Sequence, residues 1–253
     1  MNEYRQWYED DGITFHSEHK VQFSQANNQK TLSFYELLKV TSDMAVEDYA
    51  LRGMDRDMLT ANGYACLVSR VSFRFHRMPQ ENERYVFTTY EEKAEPLQLV
   101  RAYEFTAQDG TPLITGLSSW LLVDPVAHRI IPTKKFDLRP PVESQKEHDC
   151  MKYGKIPQPE SLDLLYERTI MYSDIDGNGH VNNARYGAYV ADAIPESLRD
   201  KTFTDFRLNY AKEAKLGDKL SVYGHTDAEA KKITIVGKTS DGVSFESELY
   251  WRD

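Results

Sequence analysis

Three side chains that can position and transfer protons lie close together in the second half of the 253-residue chain. Asp176, Asn178 and His180 are separated by single residues, and a locally extended loop would direct all three to one side. The aspartate can orient and charge-stabilise the histidine, the histidine can move protons, and the asparagine can hold a polar atom. Asp, Asn and Gly at this spacing also favour an Asx turn before a helix cap, so both interpretations stay open.

The residues that follow favour the catalytic interpretation. After Asn178 the chain continues as Gly-His-Val-Asn-Asn and reaches Tyr186. This long run resembles the acyl-acyl-carrier-protein (acyl-ACP) thioesterases of plants and bacteria, which carry a similar Asp-x-Asn-x-His-Val-Asn-Asn run before the helix of a hot-dog fold. The stretch from Tyr210 to Glu213 resembles the Tyr-x-x-Glu run of that family, and residues 118–124 resemble its Trp-containing strand.

The resemblance implies that Asp176, Asn178, His180 and Glu213 form a catalytic network. Thioester hydrolysis needs a base that activates water and donors that stabilise the carbonyl oxygen. We assign Glu213 and His180 to water activation, Asp176 to orienting them, and Asn178 to holding the water or the carbonyl. A glutamate in an apolar cleft would have a raised pKa, which suits a base near neutral pH. Which carboxylate takes the proton, and whether Asp176 attacks covalently, stay open.

Further expectations concern the same chemistry. The main-chain N–H groups of Val181 and Asn182, at the predicted start of a helix, are candidates for an oxyanion site. The family carries a cysteine after its glutamate, whereas this chain has Ala214, so no Cys–His nucleophile pair is expected. Cys66 and Cys150 lie outside the motif and are expected to be reduced thiols. No metal-ligand spacing or nucleotide fingerprint occurs in the sequence, so no cofactor and no metal are expected.

Proline usage divides the chain into two halves. Six of the ten prolines lie at positions 125–159, in a stretch without hydrophobic periodicity that is typical of a linker. The predicted units are a first domain at 1–124, a linker at 125–160 and a second domain at 161–253. Each domain is predicted to contain a strand, a helix and then antiparallel strands. The helices are expected at about 32–53 and from Asn182 or Asn183 to about Ile194.

The two halves also align weakly, residue by residue, which indicates duplication of one α+β unit. The polar residues of the motif have different counterparts in the first half: Gln29 for Asn178, Thr31 for His180 and Met78 for Glu213. One active site per chain is therefore expected, in the second domain. A sheet wrapped around one long helix, present twice, resembles the double hot-dog architecture of acyl-ACP thioesterases. The resemblance places the acyl chain between the helix and the sheet of the first domain.

Bulk properties restrict the partners. The net charge of −9 disfavours nucleic acid and anionic membranes. No apolar run approaches the roughly 20 residues that span a bilayer, so membrane insertion is not expected. The N-terminal residues show no signal or transit pattern, and a cytoplasmic location is expected. The family resemblance, and not the charge, implies that the partner is an acyl carrier protein that carries a fatty acyl chain. A double hot-dog chain is compatible with both a monomer and a homodimer.

The expected function is hydrolysis of fatty acyl-ACP to free fatty acid and holo-ACP. The first alternative is a hot-dog acyl-CoA thioesterase, which a basic cleft shaped for the CoA nucleotide would favour. A hot-dog dehydratase fits the Asn-Gly-His-Val-Asn-Asn run less well. The second alternative is an acyl-binding sensor without turnover, against which the complete set of four polar residues argues. The sequence does not give the preferred chain length or saturation.

Overall fold

The computed structural model describes residues 5–253, and its main feature is one continuous antiparallel sheet. The predicted first domain begins with residues 1–4, which lie outside the described residues. The strands are β1 (Gln6–Tyr8), β2 (Phe15–Lys20), β3 (Ala65–Phe75), β4 (Arg84–Glu95), β5 (Gln98–Ala107), β6 (Pro112–Asp124), β7 (Arg129–Ile130), β8 (Asp163–Thr169), β9 (Thr202–Tyr210), β10 (Lys219–Asp227), β11 (Lys232–Thr239) and β12 (Gly242–Arg252). The α-helices are α1 (Phe34–Leu51), α2 (Arg56–Ala61) and α3 (Arg185–Asp192).

The sheet consists of two half-sheets that join at β3 and β9. The strand order is β1-β2-β4-β5-β6-β3-β9-β12-β11-β10-β8, and β7 pairs with β6. The junction runs antiparallel from the pair Arg70 and Asn209 to the pair Arg74 and Asp205. Helices α1 and α3 contact each other, and their apolar faces share one core with both half-sheets. The predicted α+β class and the two sheet–helix units are therefore confirmed.

Helix α1 is close to its predicted bounds because both ends carry local signals. The Ser33 hydroxyl accepts a hydrogen bond from the Glu36 N–H at 3.3 Å, which caps the first turn. The buried positions Leu37, Leu38, Thr41, Ala45 and Asp48 recur every three to four residues and form one face. The helix stops before Gly53, whose φ of 76° ends the helical path.

Helix α3 is shorter than predicted. The Asn182 side chain accepts a hydrogen bond from the Ala184 N–H at 2.9 Å, which makes a turn and delays the first helical residue to Arg185. The last helical residue is Asp192, before Pro195. At Gly187 an added Cβ would lie 2.5 Å from the carbonyl oxygen of Phe34, so the close contact between α1 and α3 requires glycine.

Hydrogen bonds in the two motif loops confirm the internal repeat. In the first half, the Asn27 N–H donates to the Thr31 carbonyl at 2.8 Å. In the second half, the Asp176 N–H donates to the His180 carbonyl at 2.9 Å. The residue after each loop also makes an equivalent bond, from Leu32 to the Pro79 carbonyl and from Val181 to the Ala214 carbonyl.

These bonds support the residue correspondence that the sequence predicted. Thr31 occupies the position of His180. The two acceptor residues directly follow Met78 and Glu213, which are therefore also equivalent. The first-half loop thus has the same main-chain geometry but carries neither the histidine nor the glutamate.

Two local predictions were incomplete. The short helix α2, which the Asp55 side chain caps by accepting from the Met58 N–H, was not predicted. The strand predicted before the helix of the second domain ends at Thr169, and Tyr172–Asp174 form a 3₁₀ turn after it. The Asp174 carboxylate accepts the Met171 N–H at 2.9 Å, which bends the chain away from the strand.

The predicted linker packs against the sheet. The Ser144 carbonyl accepts a hydrogen bond from the Lys93 N–H at 2.8 Å. Further along, Cys150, Tyr153 and Ile156 are buried. The division at 125 and 160 stays a prediction. In residues 5–253 no helix is both long and apolar enough to cross a membrane.

Candidate active site

The Asp/Asn/His loop is a tight turn and not the locally extended segment that was considered. An isolated bridge pairs Ile175 with Val181 at its base. Between them, the Gly179 N–H donates to the Asp176 carbonyl at 3.0 Å, and Gly179 has a φ of 82°. This left-handed conformation favours glycine, which explains the glycine before the histidine. The Asx-turn interpretation is therefore correct, and it coexists with a polar cluster.

The structure brings His180 and Glu213 together. The Nε2 atom of His180 lies 2.9 Å from Oε2 of Glu213. The Val181 N–H bonds the Ala214 carbonyl at 3.0 Å, so the two residues next to the pair are joined through their main chains. The pair therefore sits on a main-chain connection between the loop and the segment after β9. A histidine and a carboxylate at this distance can exchange a proton and orient a water molecule.

The surroundings of Glu213 differ from the expectation of an apolar cleft. The side chain of Glu213 is 53% exposed and that of His180 is 33% exposed. Glu213 lies between β9 and β10, in a segment whose neighbours Lys212 and Lys215 are also exposed. This segment is open to solvent, so Glu213 does not lie in the apolar cleft that was expected.

Asp176 and Asn178 form a second pair. One carboxylate oxygen of Asp176 accepts the Asn178 N–H at 2.7 Å, and the other lies 3.5 Å from its amide nitrogen. Across residues 5–253, no hydrogen bond joins the Asp176 carboxylate to the His180 imidazole. The Asp176 carboxylate was expected to orient His180. The turn instead places it against the main-chain N–H and the side-chain amide of Asn178.

The predicted oxyanion donors are wrong. The Val181 N–H is used in the bond to Ala214, and the Asn182 N–H donates to the Asp174 carbonyl at 2.9 Å. Both groups are fixed by the loop itself, so neither is free to bind a carbonyl oxygen. The side-chain amide of Asn178 is the donor in the motif that can take this role.

Asp174 is a functional neighbour that sequence reasoning missed. Its side chain is 3% exposed and lies 2.8 Å from the Arg168 guanidinium and 3.5 Å from that of Arg185. Arg185 also donates to the Ser173 carbonyl at 2.7 Å. These contacts fix the loop to β8 and to α3. The only sequence signal is an aspartate two residues before Asp176, which does not distinguish a buried ion pair from an exposed turn.

The guanidinium group of Arg56, a residue of the first half, lies close to the Asp/Asn/His loop. Its Nη1 atom lies 3.9 Å from the place of a Cβ on Gly177. Helix α2, which follows directly after α1, positions this arginine. The site loop of the second half is therefore bordered by the start of helix α2 of the first half.

The two cysteines are unsuited to nucleophilic catalysis. Burial raises the pKa of Cys66 to about 12 and that of Cys150 to about 12. A thiol with such a pKa carries almost no thiolate at neutral pH, and the thiolate is the nucleophile. Over the described residues, no cluster of three or more His, Cys, Asp or Glu side chains is placed to hold a metal ion.

A double variant tests this conclusion. Cys66→Ser with Cys150→Ser should keep kcat within about threefold of the unsubstituted protein, because neither thiol takes part in the chemistry. The measurement is steady-state release of the carrier thiol, with circular dichroism to show folding. A folded double variant without activity would contradict a mechanism in which water attacks.

Comparisons with known proteins identify the family. The family described as acyl-ACP thioesterase N-terminal domain matches residues 12–135, and the acyl-ACP thioesterase C-terminal domain matches residues 159–249. The chain belongs to the acyl-ACP thioesterase family. It is therefore a thioester hydrolase that acts on acyl-ACP. A search of curated proteins found no match.

Solved structures show the same fold. An acyl-ACP thioesterase from Bacteroides thetaiotaomicron is 21% identical with a TM-score of 0.80, over 96% of this chain and 100% of the other. The 12:0-ACP thioesterase from Umbellularia californica is 15% identical with a TM-score of 0.83, over 94% and 97% of the two chains. These similarities confirm the predicted double hot-dog architecture of this acyl-ACP thioesterase family member.

Proposed function

We propose that the chain hydrolyses fatty acyl-ACP by direct attack of a water molecule that the His180–Glu213 pair activates. The observation that carries this proposal is the 2.9 Å contact between Nε2 of His180 and Oε2 of Glu213. The family supplies the reaction, and this contact supplies a group that can accept the proton of the attacking water. Their partial exposure leaves room for that water and for the thioester.

The steps follow from the donors and acceptors present. The water oxygen attacks the thioester carbonyl carbon while a proton passes to the His180–Glu213 pair. The amide N–H of Asn178 donates to the carbonyl oxygen as it gains negative charge. The C–S bond then breaks, and the proton held by the pair returns to the departing thiolate. The products are the free fatty acid and the thiol of the carrier.

Asp176 serves as a positioning residue in this scheme. Its carboxylate accepts the Asn178 N–H at 2.7 Å and lies 3.5 Å from the amide nitrogen. An acceptor on one side of the amide leaves the second amide hydrogen for the substrate. The same placement argues against covalent attack by Asp176, because its oxygens are occupied by Asn178.

The remaining assignments extend the proposal. The first domain, 1–124, holds the acyl chain, and the second, 161–253, carries Asp176, Asn178, His180 and Glu213. The protein partner is an acyl carrier protein, and the chain acts as a monomer or a homodimer in the cytoplasm. Both cysteines are free thiols, which supports a reducing compartment.

A single-turnover reaction in water enriched in heavy oxygen tests direct attack. With the protein in excess over acyl-ACP, the fatty acid should carry one heavy oxygen and the protein none. Mass spectrometry of both products gives the result. Heavy oxygen in the protein, or an acylated protein after rapid quenching, would show a covalent intermediate and overturn the proposed mechanism.

A further inference from the structure

The Asp/Asn/His loop contains one of the two Asn-Gly sequences of the chain. Asn178-Gly179 lies in this loop, and Asn62-Gly63 lies at the end of α2. Asparagine is one of the thermolabile residues of proteins. It is most labile before glycine, because a residue without a Cβ leaves its main-chain nitrogen unhindered for attack on the neighbouring amide carbon. The loop that carries the proposed chemistry can therefore react with itself.

The two Asn-Gly sequences have the same main-chain geometry. Gly179 has a φ of 82° and Gly63 a φ of 79°. In each sequence the glycine N–H donates to the carbonyl oxygen three residues earlier, at 3.0 Å. Both asparagines are exposed. Each glycine nitrogen must leave its hydrogen bond by a local opening before it can attack. The main chain therefore does not distinguish the two sequences.

The side-chain amides of the two asparagines are held differently. The Asn62 amide donates to the Met58 carbonyl at 2.9 Å, which holds it against the end of α2. The Asn178 amide nitrogen lies 3.5 Å from the Asp176 carboxylate, at the outer limit of a hydrogen bond. An amide must be released before its carbon can turn toward the glycine nitrogen, and one ordinary hydrogen bond changes such an equilibrium by roughly fivefold. Asn178 is therefore the more reactive of the two.

We propose that Asn178 is a site of spontaneous deamidation, which inactivates the protein. The inactivation rests on the proposed function, in which the Asn178 amide donates to the carbonyl oxygen of the thioester. The Gly179 nitrogen loses its proton to a base in the solvent and bonds to the amide carbon of Asn178. The amide nitrogen takes up a proton and leaves as ammonia, so a cyclic succinimide remains. Water then opens this ring at one of its two carbonyls, which gives aspartate or isoaspartate.

Either product disables the site. Aspartate at position 178 is a carboxylate, which accepts hydrogen bonds and has none to donate to the thioester oxygen. It would also lie beside the Asp176 carboxylate, and the two negative charges repel each other. Isoaspartate adds a carbon to the main chain before Gly179 and so displaces His180, whose Nε2 atom lies 2.9 Å from Glu213. Turnover should therefore be lost along both branches.

Ageing of the full-length protein at mildly alkaline pH tests the site. Alkaline solution speeds the reaction, because the glycine nitrogen attacks after losing its proton. Peptide mapping by mass spectrometry gives the conversion of Asn178 and of Asn62 in the same sample, and steady-state thiol release gives kcat. Asn178 should convert at least about fivefold faster than Asn62. The fraction of kcat that is lost should equal the fraction of Asn178 that is converted.

Two variants connect the loss of activity with this position. Gly179→Lys places a Cβ beside the reacting nitrogen. The turn accommodates it, because Lys30 adopts a φ of 60° at the equivalent position of the first half. Conversion at Asn178 and loss of kcat should both slow several-fold, each relative to the unaged variant. Asn62→Gln removes the other labile sequence and should leave the rate of activity loss unchanged.

Asn178→Asp reproduces one product and separates the two proposals. Its kcat should be lower by at least about a hundredfold, the low end for loss of an oxyanion donor. If Asn178 converts no faster than Asn62, or stays intact while kcat falls, deamidation as the cause of inactivation is overturned and the proposed function stands. If Asn178 converts first but the Asn178→Asp protein is fully active, the donor role of Asn178 in the proposed function is overturned instead.

Discussion

His180→Ala and Glu213→Ala should each lower kcat on acyl-ACP by at least about a hundredfold, the low end for loss of a general acid or base. Both side chains are partly exposed, so their removal leaves no cavity in the core and the fold should be retained. The physical reason for the loss is that neither residue alone can accept the proton of the attacking water and return it to the thiolate. Steady-state thiol release and thermal unfolding give the two readouts.

The internal repeat supplies a matched control for this experiment. Thr31 occupies the position of His180 in a loop with the same main-chain hydrogen bonds. Thr31→Ala should therefore keep kcat within about threefold, because Thr31 is only partly buried and belongs to the loop that lacks the histidine and the glutamate. Near-wild-type turnover in a folded His180→Ala or Glu213→Ala protein would remove both residues from the mechanism. A large loss in Thr31→Ala would show that the site is not confined to the second half.

The fold and the turn that carries His180 were readable from the sequence because their signals are local. Alternating apolar residues mark strands, and the stripe of α1 recurs at helical spacing. The repeat gave the equivalence of Thr31 with His180 and of Met78 with Glu213 because duplicated units keep their main-chain bonds. These signals depend on neighbours along the chain, and the structure confirms them.

Other features depend on contacts between distant residues, and the sequence does not encode those in a pattern. The N–H groups of Val181 and Asn182 looked free because helix starts leave donors unpaired. In the structure, the Val181 N–H donates to the Ala214 carbonyl and the Asn182 N–H donates to the Asp174 carbonyl. The exposure of Glu213 likewise depends on which segments cover it, and motif spacing carries no such information.

Three buried charges between α1 and the sheet show the same limit more clearly. Asp48, Glu91 and Arg101 lie on three different elements and look like ordinary surface charges within amphipathic elements. The pairing of β4 with β5 places Glu91 opposite Arg101, and the packing of α1 against these strands adds Asp48. Single charged residues within apolar patterns are common, so the sequence gave no reason to predict that these three are buried as ion pairs.

Acyl-ACP should be hydrolysed with kcat/KM at least about tenfold above that for the matching acyl-CoA, because a protein carrier adds contacts that CoA cannot make. With a net charge of −9 the chain must meet an acidic carrier through local basic side chains. Exposed Arg56, Lys212 and Lys215 lie beside the site loop or Glu213 and provide such a rim.

The salt dependence of this preference identifies its cause. Exposed charge pairs act mainly on the association rate and are screened as ionic strength rises. Rates on acyl-ACP should therefore fall between low and high salt, and Arg56→Gln should weaken that dependence. Lys231→Gln is the matched control, because Lys231 lies in the β10–β11 turn at the far end of β10 from the site. This variant should leave the salt dependence unchanged. A preference for acyl-CoA at every salt concentration would instead mean that the rim binds the phosphates of CoA, and the carrier protein would not be the preferred partner.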